Sequence, residues 1–281
     1  MPSSGSVQAL CPCCPPGRAQ HGGAPVGRRR ALGLLIGAAV APLAAGCDEQ
    51  DGFPIRLVSD ETVQQLGLET WQRLRAEVPA SEDSGLQRTL QENGARLLAA
   101  AGEDPAGWEM LVFASPEVNA FVLPGGKIGV FEGMFRAAAT ADQLAAVIGH
   151  EIGHHQAEHS QERLSAAAAK HWGLRLISAA LQLGDIEYAN EIAALLGVGA
   201  EFGLLLPYSR RQELEADRLG LFTMARAGFD PRAAIELWQR MDRLGGQRAP
   251  AFLSTHPAPE ARIEALEGAL PEAMRAVETA S

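Results

Sequence analysis

Two histidines four residues apart constrain this chain more than any other feature. His150 and His154 flank Glu151 in the segment H-E-I-G-H. Residues four apart lie on one face of an α-helix, so both imidazoles can reach the same metal ion. Together with one carboxylate they would leave a zinc position open for water, whose proton Glu151 can accept. The pattern predicts one zinc per chain and hydrolysis of peptide bonds, with Glu151 as a catalytic residue.

The residues before the motif favour a genuine helix over a chance match. Thr140 and Gln143 have the spacing of a capping box, in which the two side chains bond the first free backbone N–H groups. Leu144, Val147 and Ile148 then recur at helical spacing. The two histidines are therefore expected on a helix with a buried apolar stripe.

A third ligand is expected from a later segment. The metzincin pattern would need a glycine at position 157 and a histidine at position 160, but this chain has Ala157 and Ser160, so that class is excluded. Glu213 and Asp217 lie four apart in another predicted helix. One of them could bind zinc while the other accepts a hydrogen bond from a ligand histidine.

The two segments together resemble metallopeptidase family forty-eight, the gluzincins that include the heat-shock protease HtpX and the CAAX prenyl endopeptidases. The second motif, R-x-x-E-x-x-A-D-x-x-G, is carried by Arg210, Glu213, Ala216, Asp217 and Gly220. V-N-A-F-x-x-P-G-G from Val118 and S-T-H-P from Ser254 also agree, so the similarity covers residues 58–268. The resemblance implies that Glu213 is the third zinc ligand. Glu215, the competing candidate, lies on a different helical face.

Four further residues are candidates for roles at the site. Asp217 and His159 are expected beside the metal ligands, where they would orient them. Asn119 could bind the substrate backbone or merely satisfy a turn. His256 precedes Pro257, which favours a loop that can reach a cleft. Three roles for His256 stay open: a catalytic donor to the oxyanion, an inhibitory ligand in zinc's open position, or a surface residue.

The N-terminal residues 1–47 have the layout of an export signal. Arginines at positions 28–30 precede the apolar run of residues 31–45, and Leu43 to Cys47 resembles a bacterial lipobox. The sequence therefore predicts lipidation at Cys47 and a protein anchored on the periplasmic side of the cell envelope. Asp48 favours the inner membrane slightly. Residues 48–57 are expected to form a tether, and residues 58–281 the zinc metallopeptidase domain.

Charge and cysteine content narrow the functional classes. The formal net charge is −10, and residues 1–47 hold four arginines and no acidic residue, so the remainder is more acidic still. We expect no nucleic-acid partner, because an acidic net charge disfavours phosphate binding. All four cysteines lie at or before Cys47. The domain beyond them must therefore be stabilised by its core rather than by disulfides.

The predicted fold class is α+β and mainly helical, a gluzincin-type metallopeptidase with a small antiparallel sheet. Besides the metal helix, helices are expected over residues 59–75, 84–101, 209–226 and 230–244, and strands over residues 110–114, 118–123 and 128–131. A sheet edge could align an extended peptide. Apolar residues 173–183 and 191–206 are expected to cover the cleft as a hydrophobic lid.

The predicted function is that of a zinc-dependent endopeptidase of the bacterial cell envelope. Its substrates, as the resemblance implies, would be unfolded or misfolded membrane or envelope proteins. The alternative is a zinc-stabilised, chaperone-like lipoprotein that binds clients and cleaves little or nothing. The presence of Glu151 favours the enzyme, because a pure binding protein has no need of a proton acceptor beside the metal.

Overall fold

The computed structural model describes residues 56–169, 208–244, 251–257 and 259–280. All of them belong to the unit Glu49–Ser281. Three predicted features lie outside the described residues: the export signal with its lipidation site at Cys47, most of the tether, and the lid over residues 173–206.

Helices make up most of the described chain, and the predicted α+β, mainly helical class is confirmed. In chain order the helices are α1 (Asp60–Glu77), α2 (Ser84–Ala101), α3 (Glu132–Ala137), α4 (Ala141–Gln156), α5 (described over residues 159–169), α6 (Arg210–Arg226), α7 (Arg232–Leu244), α8 (Ala251–Thr255) and α9 (Pro259–Ala280). The strands are β1 (Glu109–Phe113), β2 (Ala120–Leu123) and β3 (Lys127–Phe131). Within these ranges, no helix has both the length and the apolar character that crossing a bilayer requires.

The sheet is mixed, so the prediction of an antiparallel sheet was wrong for one of its two pairings. The strand order is β1–β3–β2. β2 runs antiparallel to β3, with Phe121 opposite Gly129, whereas β1 runs parallel to β3, with Leu111 opposite Gly129. β1 and β2 follow each other in the sequence but are not adjacent in the sheet. The error arose because the chain passes from β1 to β2 and only then returns to form β3 between them. Among the described residues, β2 is an edge strand.

The turn between β2 and β3 is the predicted hairpin. Gly125 and Gly126 have φ angles of 81° and 69°, in the left-handed region that glycine adopts without steric cost. This turn fixes the register of β2, the strand that faces the metal helix.

Side-chain caps start both helices that carry the predicted ligands. Thr140 Oγ1 accepts from the N–H of Gln143 at 3.1 Å, and Gln143 Oε1 accepts from the N–H of Ala139 at 2.9 Å, one residue before the cap. Ser209 and Gln212 form a full capping box at the start of α6. Both helices therefore begin where the sequence predicted.

α4 and α6 cross at unusually close range because small residues line the crossing. A Cβ atom on Gly153 would lie 2.5 Å from the carbonyl oxygen of Ala216, and one on Gly220 would lie 2.8 Å from the carbonyl carbon of Gly149. Only glycine allows such an approach of two backbones. The crossing brings side chains from both helices to one point.

A second, smaller apolar cluster lies under the sheet on the side of α1. It consists of Trp71, Phe113, Leu123 and Phe131, with Phe121 packed against it, and is called the aromatic cluster below. Its rings meet mostly edge to face, as between Trp71 and Phe113, whose centroids are 5.5 Å apart.

Candidate metal centre

Four buried side chains converge at the crossing of α4 and α6. His150 and His154 come from α4, Glu213 from α6, and His256 from the segment that follows α8. One possible ligand atom from each lies within 4.8 Å of all the others, and none of the four residues is more than 3% exposed. We call this group the ligand cluster. Its arrangement could hold one metal ion.

The nitrogen and oxygen atoms of the ligand cluster point at one another. Nε2 of His150 lies 3.0 Å from Nε2 of His154 and 3.1 Å from Nδ1 of His256. Glu213 Oε1 lies 3.3 Å from His154 Nε2 and 3.0 Å from His256 Nδ1. Several atoms that carry lone pairs therefore face one another with few hydrogen-bond donors among them, and such a group suits a bound cation.

Burial keeps the imidazoles of α4 in the neutral form that metals require. It lowers the pKa of His150 to about 4, with the nearby Arg262 guanidinium acting in the same direction. Burial, followed by the neighbouring His150, also holds the pKa of His154 well below its ordinary value. Both rings are therefore neutral at neutral pH and can offer a lone pair.

Glu213 stays ionised although it is buried. Burial by itself would raise its pKa, but the positive charge of Arg262, helped by His256, outweighs burial and holds the pKa of Glu213 well below its usual range. An ionised carboxylate beside neutral imidazoles is the donor set that zinc and related ions prefer.

Glu151 lies beside the ligand cluster and faces the sheet. Its Oε2 accepts a hydrogen bond from the N–H of Val122 in β2 at 3.0 Å. Its Oε1 is buried, has no hydrogen-bond partner among the described residues, and lies 3.4 Å from His256 Nε2. Burial raises the pKa of Glu151 to about 7. This carboxyl group can therefore both accept and release a proton near neutral pH.

Asp217 and Arg262 support His150 from the far side. Asp217 Oδ1 accepts from Nδ1 of His150 at 2.9 Å, which leaves Nε2 of that ring turned to the ligand cluster. Arg262, from α9, donates to Asp217 through Nε and Nη2, both at 2.6 Å, and its Nη1 contacts Glu213 Oε2. The guanidinium also holds the pKa of Asp217 below its ordinary value against the effect of burial.

His154 is held by two rings. With Nε2 turned to the ligand cluster, its Nδ1–H donates to Nδ1 of His159 at 2.8 Å. Tyr208 stacks on the ring of His154, with centroids 3.6 Å apart, and its hydroxyl accepts from Arg163 at 2.8 Å. Burial raises the pKa of Tyr208 to about 12, so this hydroxyl stays protonated.

The structure therefore brings most of the predicted site residues together. The group comprises His150, Glu151, His154, His159, Glu213, Asp217 and His256. Glu215 is not part of the ligand cluster: its side chain is 46% exposed and contacts His159 at 3.4 Å. Asn119 lies at the start of β2, where its Oδ1 accepts from the N–H of Ala120 at 3.0 Å. That contact is local and by itself assigns no role in substrate binding.

Sequence reasoning missed two residues of the site, Arg262 and Tyr208. Two carboxylates four apart in one helix require a nearby cation if both are buried. The sequence shows neither their burial nor which of the 24 Lys and Arg residues supplies the cation. Tyr208 directly precedes the Ser209 cap of α6, a position that carries no signal of ring stacking on a histidine 54 residues earlier.

A groove of about 210 Å³ opens beside His154. One wall is formed by Val122 to Gly125 of β2 and its turn, and another by α1 through Asp60, Val63 and Gln64. The groove follows the edge strand, so it has the position that an extended chain would need in order to pass the ligand cluster.

Comparison with known proteins identifies the family. The model of peptidase family M48 matches residues 84–270, a stretch that contains every member of the ligand cluster. The chain belongs to peptidase family M48. The resemblance predicted from the two sequence motifs is thereby confirmed.

Several curated relatives share this region. The chain is 44% identical over 186 residues to mitochondrial metalloendopeptidase OMA1 of Schizosaccharomyces pombe, covering 66% of this chain and 53% of the relative. It is 31% identical over 249 residues to the putative beta-barrel assembly-enhancing protease of Vibrio cholerae, and 30% over 237 residues to the beta-barrel assembly-enhancing protease of Escherichia coli. These alignments cover 84% and 80% of this chain, and 50% and 48% of the relatives. The chain thus spans about half the length of the relatives.

Proposed function

We propose that this chain is a zinc-dependent endopeptidase whose metal ligands are His150, His154 and Glu213. The observation that carries the proposal is the convergence of these three buried side chains with Glu151 immediately beside them. The donor set fits zinc, which favours imidazole nitrogen and carboxylate oxygen in a four-coordinate site. When bound, zinc would lower the pKa of a water molecule and polarise the scissile carbonyl.

Glu151 is proposed as the proton carrier of the reaction. Its unpartnered Oε1 accepts a proton from the attacking water, and the same carboxyl group then delivers that proton to the leaving amine. The N–H of Val122 holds the other oxygen, so the carboxyl group keeps its orientation through both transfers.

The edge strand β2 is proposed to align the substrate. A peptide in extended form would lie along the outer edge of β2, beside the N–H of Val122 that bonds Glu151, and continue into the groove beside His154. Asn119, at the start of that strand, would bind the peptide backbone by exchanging its local bond to Ala120 for one to the substrate.

His256 is proposed as an inhibitory fourth ligand in the resting protein. Its Nδ1 lies within 3.1 Å of both His150 Nε2 and Glu213 Oε1, which supports a place in the coordination sphere over a role as oxyanion donor at a distance. Substrate binding then requires this side chain to leave. His256→Ala should raise basal activity under this proposal, and a loss of roughly a hundredfold would instead identify an oxyanion donor.

The site of action is proposed to be the bacterial cell envelope. Residues 28–47 have the pattern of an export signal that ends in a lipid-bearing Cys47, and Asp48 favours the inner membrane. Two bacterial relatives are named for β-barrel assembly, and the transmembrane β-barrels of bacteria lie in the outer membrane. We therefore propose unfolded or misfolded envelope proteins as the substrates.

The enzyme and the binding-protein alternatives are separated by two measurements on the full chain. We expect about one zinc per chain and cleavage of casein, with His256→Ala as the more active background. Glu151→Gln in either background should keep the zinc and abolish cleavage. Zinc-loaded protein that cleaves nothing, even with His256→Ala, would favour the chaperone-like alternative.

The lipid anchor is tested separately. Cys47→Ser should abolish labelling by a radioactive fatty acid and leave an unprocessed or soluble product, while Cys14→Ser, upstream of the proposed cleavage, should change neither. A wild-type protein found wholly in the soluble periplasmic fraction would contradict the anchor.

A further inference from the structure

We infer that Arg262 is a positioning residue for the metal site: its guanidinium ties the carboxylates of Glu213 and Asp217 together and fixes which oxygen of Glu213 is offered to the metal. This inference rests on the proposed zinc site. It adds a residue that neither the sequence motifs nor the proposed ligand set contains.

The contacts of Arg262 span the two acidic residues of α6. Nε and Nη2 bond the two oxygens of Asp217 in a two-pronged arrangement, both at 2.6 Å, while Nη1 contacts Oε2 of Glu213. Arg262 is 0% exposed, so water does not compete for these bonds. Two-pronged guanidinium–carboxylate pairs fix direction as well as distance.

This arrangement divides the work between the two oxygens of Glu213. Oε2 contacts Arg262 and lies 3.6 Å from His150 Nε2, whereas Oε1 lies closer to the other ligand nitrogens, 3.3 Å from His154 Nε2 and 3.0 Å from His256 Nδ1. Glu213 can then offer the metal one oxygen in a fixed direction. Without Arg262, the carboxylate could rotate or offer both oxygens.

Arg262 reaches the ligand His150 in two ways: its Nη2 lies 3.0 Å from Nδ1 and 3.2 Å from Nε2 of the ring, and it also acts through Asp217. The Oδ1 atom that accepts from Arg262 Nη2 is also the atom that accepts from His150 Nδ1 at 2.9 Å. Asp217 can hold the ring of His150 only while its own position is fixed. One guanidinium therefore orients two of the three proposed ligands.

The guanidinium is itself held in place. Trp238 of α7 lies beneath it, with the guanidinium carbon 3.4 Å from the ring centroid. A planar cation stacks well on an aromatic ring, whereas the compact ammonium of lysine cannot span both carboxylates from one position. The site therefore requires arginine rather than a positive charge alone.

Charge and position predict opposite effects on metal affinity. Removing a positive charge near a divalent cation should by itself tighten metal binding. Removing a group that orients ligands should weaken it, typically about 10–100-fold. The sign of the change in affinity therefore separates the two roles.

The experiment measures zinc affinity of the full chain by competition with a chromophoric chelator, for wild type, Arg262→Lys and Arg262→Gln. We expect both variants to bind zinc about 10–100-fold more weakly, since neither can bridge the two carboxylates. The matched control is Arg218→Gln, because Arg218 pairs with Glu272 between the same two helices, α6 and α9, but at the exposed surface. Its zinc affinity should equal that of wild type.

A second readout follows the geometry of the site. In cobalt-substituted protein, the visible absorption of the metal weakens as the coordination number rises. If Arg262 restricts Glu213 to one oxygen, Arg262→Lys and Arg262→Gln should both show weaker bands than wild type, whereas Arg218→Gln should not.

Three results would overturn the inference: tighter zinc binding by Arg262→Gln, wild-type affinity and cobalt spectrum in Arg262→Lys, or reduced thermal stability of the metal-free variants with unchanged affinity. If Arg262→Gln does not fold, the lysine variant, which keeps the charge, decides the question alone. Failure of wild type to bind zinc would instead refute the proposed metal centre.

Discussion

Two buried regions of this molecule use opposite chemistry. The aromatic cluster under the sheet is apolar, with Trp71 and Phe113 at most 1% exposed, and the ligand cluster is equally buried but consists of imidazoles and a carboxylate. Burying rings contributes free energy of folding whatever else the protein does. Burying ionisable groups costs free energy unless each is paired. The first region stabilises the fold, whereas the second fits the metal ion that it is proposed to bind.

The largest expected effect concerns metal content. His150→Ala, His154→Ala or Glu213→Ala should each reduce bound zinc from about one per chain to near zero, because loss of one of three protein ligands sharply weakens a site. Elemental analysis of the purified proteins measures this. Glu215→Ala serves as the control, because that side chain is half exposed and outside the ligand cluster. Loss of zinc in Glu215→Ala with full zinc in Glu213→Ala would show that the wrong carboxylate is assigned.

The aromatic cluster should show the reverse behaviour. Phe113→Ala removes a fully buried ring and should lower the free energy of unfolding by about 3–5 kcal/mol, measured with urea on metal-free protein. The folded protein should still bind one zinc. Leu68→Ala, at a residue 40% exposed, should change the unfolding free energy far less. If folded Phe113→Ala bound zinc poorly, the two regions would not be independent.

A substitution at the helix crossing should affect both properties. Gly153→Ala places a Cβ 2.5 Å from the carbonyl oxygen of Ala216, so α4 and α6 must separate. We expect a loss of about 1–3 kcal/mol in unfolding free energy together with weaker zinc binding. Thermal unfolding with and without zinc measures both effects.

The matched glycine is Gly268 in α9, where an added Cβ meets nothing within 4 Å. Gly268→Ala should stabilise the protein by about 0.5–1 kcal/mol through helix propensity and leave zinc binding unchanged. Equal effects of the two glycine substitutions would contradict the steric argument at the crossing.

Local rules explain why much of the site could be predicted. The shared face of His150 and His154 follows from helical geometry alone, and the caps at Thr140 and Ser209 follow from the chemistry of free backbone N–H groups. The choice of Glu213 as the third ligand required more than spacing, because Glu215 and Asp217 are equally acidic. Its position in the ligand cluster agrees with the motif that resembles the family.

Other features depend on contacts that local rules do not reach. β1 was predicted to lie in an antiparallel sheet, but it runs parallel to its partner β3. The reason is that β2 forms at the far edge and the chain then returns to place β3 in the middle. Sequence patterns identify a strand by its alternation and its turn residues, yet they do not name its neighbour.

The sequence by itself determined the helix that carries His150 and His154, the acidic helix that carries Glu213, and the family to which the chain belongs, because each depends on residues within one or two turns of a helix. Only the tertiary structure decided that Arg262 and Tyr208 lie beside the ligands and that His256 reaches them. Arg262 lies 45 residues from Asp217 and 112 from His150, and His256 lies 106 residues from His150. Such pairs meet only when separate helices pack, and their packing is set by shape and burial along the whole chain.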